Sequence, residues 1–404
     1  MKKTLSILLA ALLAAVLLAV PVCAYTEVET TDYDYTRFKD ANITLNVYNW
    51  GEYISDGSDD TLDINKAFEE LTGITVKYST FDTNESLYAK LKSGGADYDI
   101  IIPSDYMIGK MINEGMLEKL DYTNIPNYSM IGEAYKGLDY DATSEYSVPY
   151  TWGVVGIVYN TTMVDETVDS WDMLWNSKYA GEILMFNNSR DAFAIASKKL
   201  NMSLNPTSTE DIAMAAKELK TQRDVVQAYV MDEIFDKMGG GEAALAPYYA
   251  GDAITMISDN PDLAFAIPKE GTNYFVDAMC IPKGSVNKEA AEMYINFMCE
   301  TEVALANTEY IGYSTPQTEA QKLLPEELKN SPIMYPSEDV LAKTETFNVL
   351  PDELNAAMDK AWSDIKTYEK NGNSYLFIVV LLAIIAAVIF MTWRKAVKKK
   401  RDQY

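Results

Sequence analysis

From residue 42 onward, short stretches of period-two hydrophobicity alternate with stretches of helical period. Ile43, Leu45 and Val47 alternate with Thr44 and Asn46, which predicts a strand. Ile64, Phe68 and Leu71 recur at helical spacing up to Gly73, a helix and its stop signal. Ile74, Val76 and Tyr78 return to period two. A helix capped by Asn84 is expected next, burying Leu87, Tyr88 and Leu91 and ending at Gly94-Gly95. Ile100-Ile101-Ile102 before Pro103 suits a sheet interior, and Met107, Met111 and Ile112 mark a helix stopped at Gly115. Strands alternating with helices specify an α/β domain with a mainly parallel sheet. After the extended stretch 148–153, residues 154–159 open a second alternating set. Ser170 to Trp175 has the form of a capped helix start, and 211–219 and 222–238 are predicted as helices. Two α/β lobes joined by extended segments are expected, with a cleft between them.

The two ends differ from this pattern. Residues 1–24 have the form of a secretory signal peptide: Lys2 and Lys3, an apolar run at 5–20, then Val22-Cys23-Ala24. Residues 375–393, YLFIVVLLAIIAAVIFMTW, carry no charge and are long enough to cross a bilayer as a helix. Arg394, Lys395, Lys398, Lys399, Lys400 and Arg401 follow, and such a cluster stays in the cytoplasm. The expectation is an exported protein anchored to the cytoplasmic membrane by a transmembrane helix, with 25–373 outside and the tail 394–404 inside. Residues 25–41, polar, acidic and aperiodic, are predicted as a spacer.

Composition narrows the chemistry. The 404 residues include 60 acids and 34 bases, a formal net charge of −26, which disfavours nucleic acid as a partner. Histidine is absent, which removes Ser-His-Asp and Cys-His nucleophile pairs and His-ligated zinc. Gly239-Gly240-Gly241 is followed by Glu242, the wrong charge for a phosphate loop. Cys280 and Cys299, both in apolar surroundings, are expected as small buried side chains, with a disulfide between them as the less favoured alternative. No catalytic group, metal set or cofactor motif is singled out.

Ligands of open α/β sheets bind beyond the carboxyl ends of strands, and five such places carry chemistry. They are Trp50, Glu52 and Tyr53; Ser104, Asp105 and Tyr106; Asn188 and Asp191; Tyr249 and Asp252; and Phe275 and Asp277. Aromatic side chains beside acids suit an alkylammonium ligand: flat rings for its stem, carboxylates for its cationic ends. Each residue alone is as readily explained by core packing or a turn; the recurrence is what points to a site.

Several stretches carry a resemblance: YNWGEYI, FEELTGITVKYSTFDTNESLYAKLKSGGADYDIIIPSDYMI, VPYTWGVVGIVYN, SWDMLWNSKYAGEI, YYAGDA, VDAMCIPKGSVNKEAAEMYINFM and IGYSTPQ. Over nearly all of residues 43–368 the chain resembles the polyamine (spermidine/putrescine) substrate-binding proteins of ABC transporters. The resemblance implies a two-lobed, type II periplasmic-binding-protein clamshell, with 42–152 and 277–315 as one lobe and 153–276 and 316–370 as the other. Trp50 and Tyr53 match that family's aromatic wall, and Ser104 and Tyr106 its second-loop contacts. Asp191 and Asp277 fall at amine-binding acids, Tyr249 and Phe275 at positions often held by Trp, and Tyr313 at a cleft tyrosine. Asn348 falls where a Gln can stand. Asn188 replaces an acid of spermidine-type members, whereas Asp252 resembles the acid of putrescine-type members, which leans towards a short diamine with spermidine open. The implied partners are a polyamine and an ABC permease with a separate ATPase, and the implied role is capture without catalysis. Sugar, thiamine or ferric iron as cargo, the last through Tyr248-Tyr249, and an anchored glycosidase-like enzyme stay open as alternatives.

Overall fold

Leu45 and Val47 are fully buried, and the strand they anchor, β1 (Thr44–Trp50), lies inside the first half of a nine-stranded sheet. The structure, a computed structural model, describes residues 25–95 and 97–367. These divide into two compact units, one ending at Met358 and one beginning at Asp359. Helix α1 (Ile64–Thr72) starts where Asp63 accepts the Lys66 amide and stops at Gly73, whose φ of 73° is the left-handed value glycine adopts freely. Strand β2 (Thr75–Phe81) pairs parallel with β1. Helix α2 (Asn84–Lys92) is capped by Thr83 in a reciprocal box with Ser86. Asn84, the cap expected from sequence, is instead buried and bonded to Ser104. Strand β3 (Ile100–Ile101) and helix α3 (Asp105–Asn113) complete this set.

Strand β4 (Ser147–Asn160) replaces the expected extended joint and separate strand with one continuous 14-residue element. Strands β5 (Ile183–Phe186), β6 (Val226–Val230), β7 (Leu245–Tyr249), β8 (Leu263–Ala266) and β9 (Tyr274–Cys280) follow. The order is β2-β1-β3-β9-β4-β7-β5-β6, with β8 also on β4. Over 147–154, β4 pairs with β9; over 155–160 it pairs with β7 and β8. One strand therefore serves both halves of the sheet. The strands of the first set, β1, β2 and β3, pair in parallel as expected, and the antiparallel pairings of β4 and β9 make the whole sheet mixed.

Between β5 and β8 lie α4 (Ser189–Lys199), α5 (Thr209–Gln222), α6 (Glu233–Gly239) and α7 (Ala250–Asp259). The helix expected over 222–238 is corrected to β6, a turn and α6. Val226 and Val230 are β-branched, and their backbone adds a parallel strand to β5, which overrides helical spacing. Residues 170–175 form only a short 3₁₀ turn, with Ser170 accepting the Asp172 amide.

Residues 25–41, expected as a spacer, are strapped to the domain. Tyr35 is buried against Phe297 and donates to Glu300 Oε1 at 2.7 Å, and the Thr31 amide donates to Glu300 Oε2 at 2.9 Å. Cys280 and Cys299 are buried free thiols.

The expected fold class is corrected in its last element. Among the described residues no helix is long and apolar enough to cross a membrane. The last helix, Asp352–Thr367, has 16 residues, and Asp352, Glu353, Asp359, Lys360, Asp364 and Lys366 bar it from hydrocarbon. The run 375–393, on which the transmembrane helix and the membrane anchorage rested, lies outside the described residues. So do the expected signal peptide, 1–24, and the tail, 394–404. The two-lobed α/β expectation is kept without its membrane helix.

Candidate functional site

Where the two halves of the sheet meet lies a narrow cavity with a mouth open to solvent. Its walls come from the carboxyl ends of β1, β3 and β7, from β9 and from the loops that follow. Trp50, Tyr53, Ser104, Tyr106, Asp191, Tyr249, Asp252, Phe275, Asp277 and Tyr313, all candidates from sequence, line it. Among the described residues lining it there is no Lys or Arg.

The end of β1 supplies one wall. Trp50 packs its ring centroid 4.5 Å from that of Phe81, and its buried Nε1 has no hydrogen-bond partner among the described residues. Tyr53 stands edge-on to Tyr313, with ring centroids 4.6 Å apart. Its hydroxyl touches Thr151 Oγ1 and donates to Asp277 Oδ2 at 2.7 Å. Phe275 and Asp277 are two residues apart on β9 and so face the same side. Gly153 is needed opposite Phe275: a Cβ there would lie 2.9 Å from the ring's Cζ.

Asp277 is 4% exposed, and its Oδ1 has no hydrogen-bond partner among the described residues. Burial raises its carboxyl from the ordinary 3.8 to about 6, against the lowering effect of Tyr53 and the nearby Ser104 hydroxyl. Asp191 raises it further. The Ser104 hydroxyl itself accepts from Asn84 Nδ2 at 3.0 Å. Next to it, burial lifts the Asp105 carboxyl to about 8, although the Tyr106 amide donates to it at 2.6 Å.

On the opposite side, Asn188 caps α4. Its Oδ1 accepts the Asp191 amide at 2.9 Å and its Nδ2 donates to Asp191 Oδ2 at 2.6 Å. Asn188 is thus behind the wall, orienting Asp191, and does not line the cavity. Tyr249 also donates to Asp191 Oδ2, at 2.9 Å, and meets Phe275 edge-on at 5.5 Å. Burial raises the Asp191 carboxyl. Asp252, in the first turn of α7, accepts from the Tyr313 hydroxyl at 2.8 Å. Its carboxyl is pushed well above the ordinary range, by burial first and then by Asp232, Glu52 and Asp277.

Tyr106 donates to Glu85 Oε1 at 2.9 Å, and the buried Arg190 guanidinium lies 5.2 Å over its ring and 4.6 Å over that of Phe347. Phe347 lines the cavity; Asn348, the candidate beside it, is exposed, and its carbonyl accepts from Arg190 at 2.8 Å. Glu52 adopts a left-handed backbone, φ 48°, and faces an outer groove instead. Gly51, Asn84, Met231, Asp232, Asn273 and Phe347 complete the lining and were not singled out as site residues from sequence, and Tyr248, also in the lining, was named there only as an iron ligand. Asn84 was hidden by its cap-like position and Asp232 by the helix expected across it.

The tyrosines bear on ferric iron as cargo. Burial holds the Tyr248 and Tyr249 phenols well above their ordinary range, and both donate to carboxylates, Tyr248 to Asp232 at 3.3 Å. Their hydroxyls are committed to carboxylates here, and the apolar rings of Trp50 and Phe275 in the lining are not the oxygen-rich shell that ferric iron takes. The arrangement is a narrow slot with aromatic sides and several carboxylates, one of them with a buried oxygen unused among the described residues.

Residues 97–344 match the family described as bacterial extracellular solute-binding protein. The chain is 36% identical over 314 residues to the spermidine/putrescine-binding periplasmic protein of Salmonella typhimurium, covering 77% of this chain and 88% of that one. It is 26% identical over 344 residues to a putrescine-binding periplasmic protein of Escherichia coli, covering 80% and 91%. A solved structure of a spermidine/putrescine ABC transporter protein from Listeria monocytogenes superposes with a TM-score of 0.77 at 37% identity, over 81% of this chain and 99% of that one.

Proposed function

This chain belongs to the bacterial extracellular solute-binding proteins, among the spermidine/putrescine binders, and from that premise we propose that it captures a polyamine outside the cytoplasm for an ABC importer. The observation that carries the reading is Asp277: a buried carboxylate with one oxygen unpartnered, facing a slot walled by aromatic rings. A buried charge left in that state is costly, and an ammonium group supplies the missing partner. The rings of Trp50, Tyr53, Phe275 and Tyr313 give the alkyl stem an apolar face with cation–π attraction at its charged ends.

Asp191 and Asp277 lie on elements of different halves of the sheet, so a ligand touching both is fully engaged only when the halves close. Contacts made only in the closed form supply the differential affinity that drives closure. The closed form is what a membrane permease, powered by a separate ATPase, would recognise. Capture needs no covalent step, and Tyr53, Ser104, Asp191, Tyr249, Asp252 and Asp277 act here as binding groups.

Titration calorimetry of the full chain with putrescine, spermidine, glucose and ferric citrate tests the reading. Heat with the amines alone is expected. Silence with both amines, or binding of glucose or ferric citrate in their place, refutes it.

A further inference from the structure

Asp232 is the one described residue that lines both the ligand cavity and the larger outer groove of about 2000 Å³. It sits on the turn between β6 and α6, at the start of that helix, but its side chain makes no capping bond there. Its carboxylate is exposed at the mouth, accepts from Tyr248 and reaches across to the backbone of Gly51, just past β1 on the other half of the sheet. The approach is so close that a Cβ at position 51 would lie 2.3 Å from Asp232 Oδ2. Deeper in, the slot already holds three buried carboxylates, Asp191, Asp252 and Asp277, and the unpartnered Asp277 Oδ1 marks where a cation is wanted.

We propose that Asp232 is a fourth carboxylate of the site, a station at its mouth for an additional ammonium group, by which the protein separates a linear trication from a dication. This rests on the polyamine reading of the cavity. A diamine with both ends held among the inner carboxylates has no further charge to present at the mouth. A triamine in the same slot has one more, and Asp232 is where the slot opens. Because this carboxylate is partly solvated, its discrimination is modest, about fivefold in affinity, as for an exposed ion pair.

The test compares spermidine and putrescine by calorimetry on the full chain, in wild type, Asp232→Asn, Asp232→Glu and Asp236→Asn. Asp236 lines the outer groove but not the cavity, so its removal reports the general acidic field alone. The expected result is a ratio of spermidine to putrescine affinity lowered about fivefold in Asp232→Asn, restored in part by Asp232→Glu and kept in Asp236→Asn. A ratio unmoved by Asp232→Asn, or lowered as much by Asp236→Asn, overturns the assignment while leaving polyamine capture standing. A wild type that binds neither amine overturns the function itself, and the assignment with it.

Discussion

Tyr53 donates its hydroxyl to one oxygen of Asp277 at 2.7 Å and leaves the other oxygen without a partner among the described residues. The carboxylate is thereby fixed in direction but not satisfied, a cost to the empty protein that ligand binding offsets. Asp277→Asn should reverse that balance. Burial raises this carboxyl to about 6, so between its ordinary 3.8 and that value the folded protein keeps a proton that the unfolded chain has released. Stability therefore falls as pH rises through this window, and the whole penalty stands above it. At roughly 1.4 kcal/mol per unit, the penalty near neutral pH is on the order of 3 kcal/mol. The asparagine variant is expected to unfold at higher urea than wild type at pH 7.5 and to lose stability less steeply between pH 4 and 6, the remaining slope belonging to Asp105, Asp191 and Asp252. Its affinity for polyamine should drop by about 2–5 kcal/mol. A variant no more stable than wild type, or one that binds as before, contradicts this account of Asp277.

The same carboxyl dictates how capture depends on pH. An ammonium prefers the ionised form, so binding below pH 6 must first expel the proton from Asp277. Burial raises Asp191 and Asp252 as well, and the Asp105 carboxyl beside them is lifted to about 8. Polyamine affinity should rise from pH 5 to pH 7. Calorimetry in buffers of different ionisation enthalpy should show protons released on binding near pH 5.5. Proton uptake, or an affinity flat across that range, contradicts the assignment of these carboxylates to the ligand.

Local periodicity made the first half of the fold legible: the alternation around Leu45 and Val47 and the spacing of Ile64, Phe68 and Leu71 are satisfied within a few residues of each other. It failed where tertiary pairing decided. Val226–Val230 is a strand because β5 accepts it, and with a helix expected across that stretch Asp232 was invisible as a mouth residue. Among the candidate residues, aromatic and acidic pairs at strand ends were readable because chemistry and position coincide there. Asn188 was readable as a position but not in its role, since its side chain is spent on Asp191. The strapping of residues 25–41 was hidden for a related reason: Tyr35 finds its partners, Glu300 and Phe297, more than 260 residues away. No window along the chain contains such a contact.

Tyr313→Phe tests the second carboxylate. The Tyr313 hydroxyl is the donor that Asp252 Oδ2 accepts, and both groups are buried. Removing it leaves a buried carboxylate short of a hydrogen bond, at a cost of about 1–3 kcal/mol, and pushes that carboxyl further up. The expected outcome is weaker polyamine binding whose pH dependence shifts to higher pH. The ring contact with Tyr53 is retained, so the loss seen in urea unfolding should not exceed about 1–3 kcal/mol. An unchanged pH profile would show that Asp252 does not take part as a carboxylate.

Gly251 offers a test of geometry without touching any polar group. It is the second residue of α7, directly before Asp252, and a Cβ on it would lie 2.0 Å from Cδ2 of Tyr313. That distance is a collision with a ring, which has no flexible end to give way. In Gly251→Ala the Tyr313 ring must swing out of place, losing its bond to Asp252 and its edge-on packing against Tyr53. A neighbouring substitution, Ala250→Gly, removes atoms and should be felt only as a small loss of helix stability, about 1 kcal/mol or less. Gly251→Ala is expected to weaken polyamine binding at least as much as Tyr313→Phe. Combined with Tyr313→Ala, which clears the space, it should add little further loss. If Gly251→Ala binds as wild type does, Tyr313 is not held where the slot requires it.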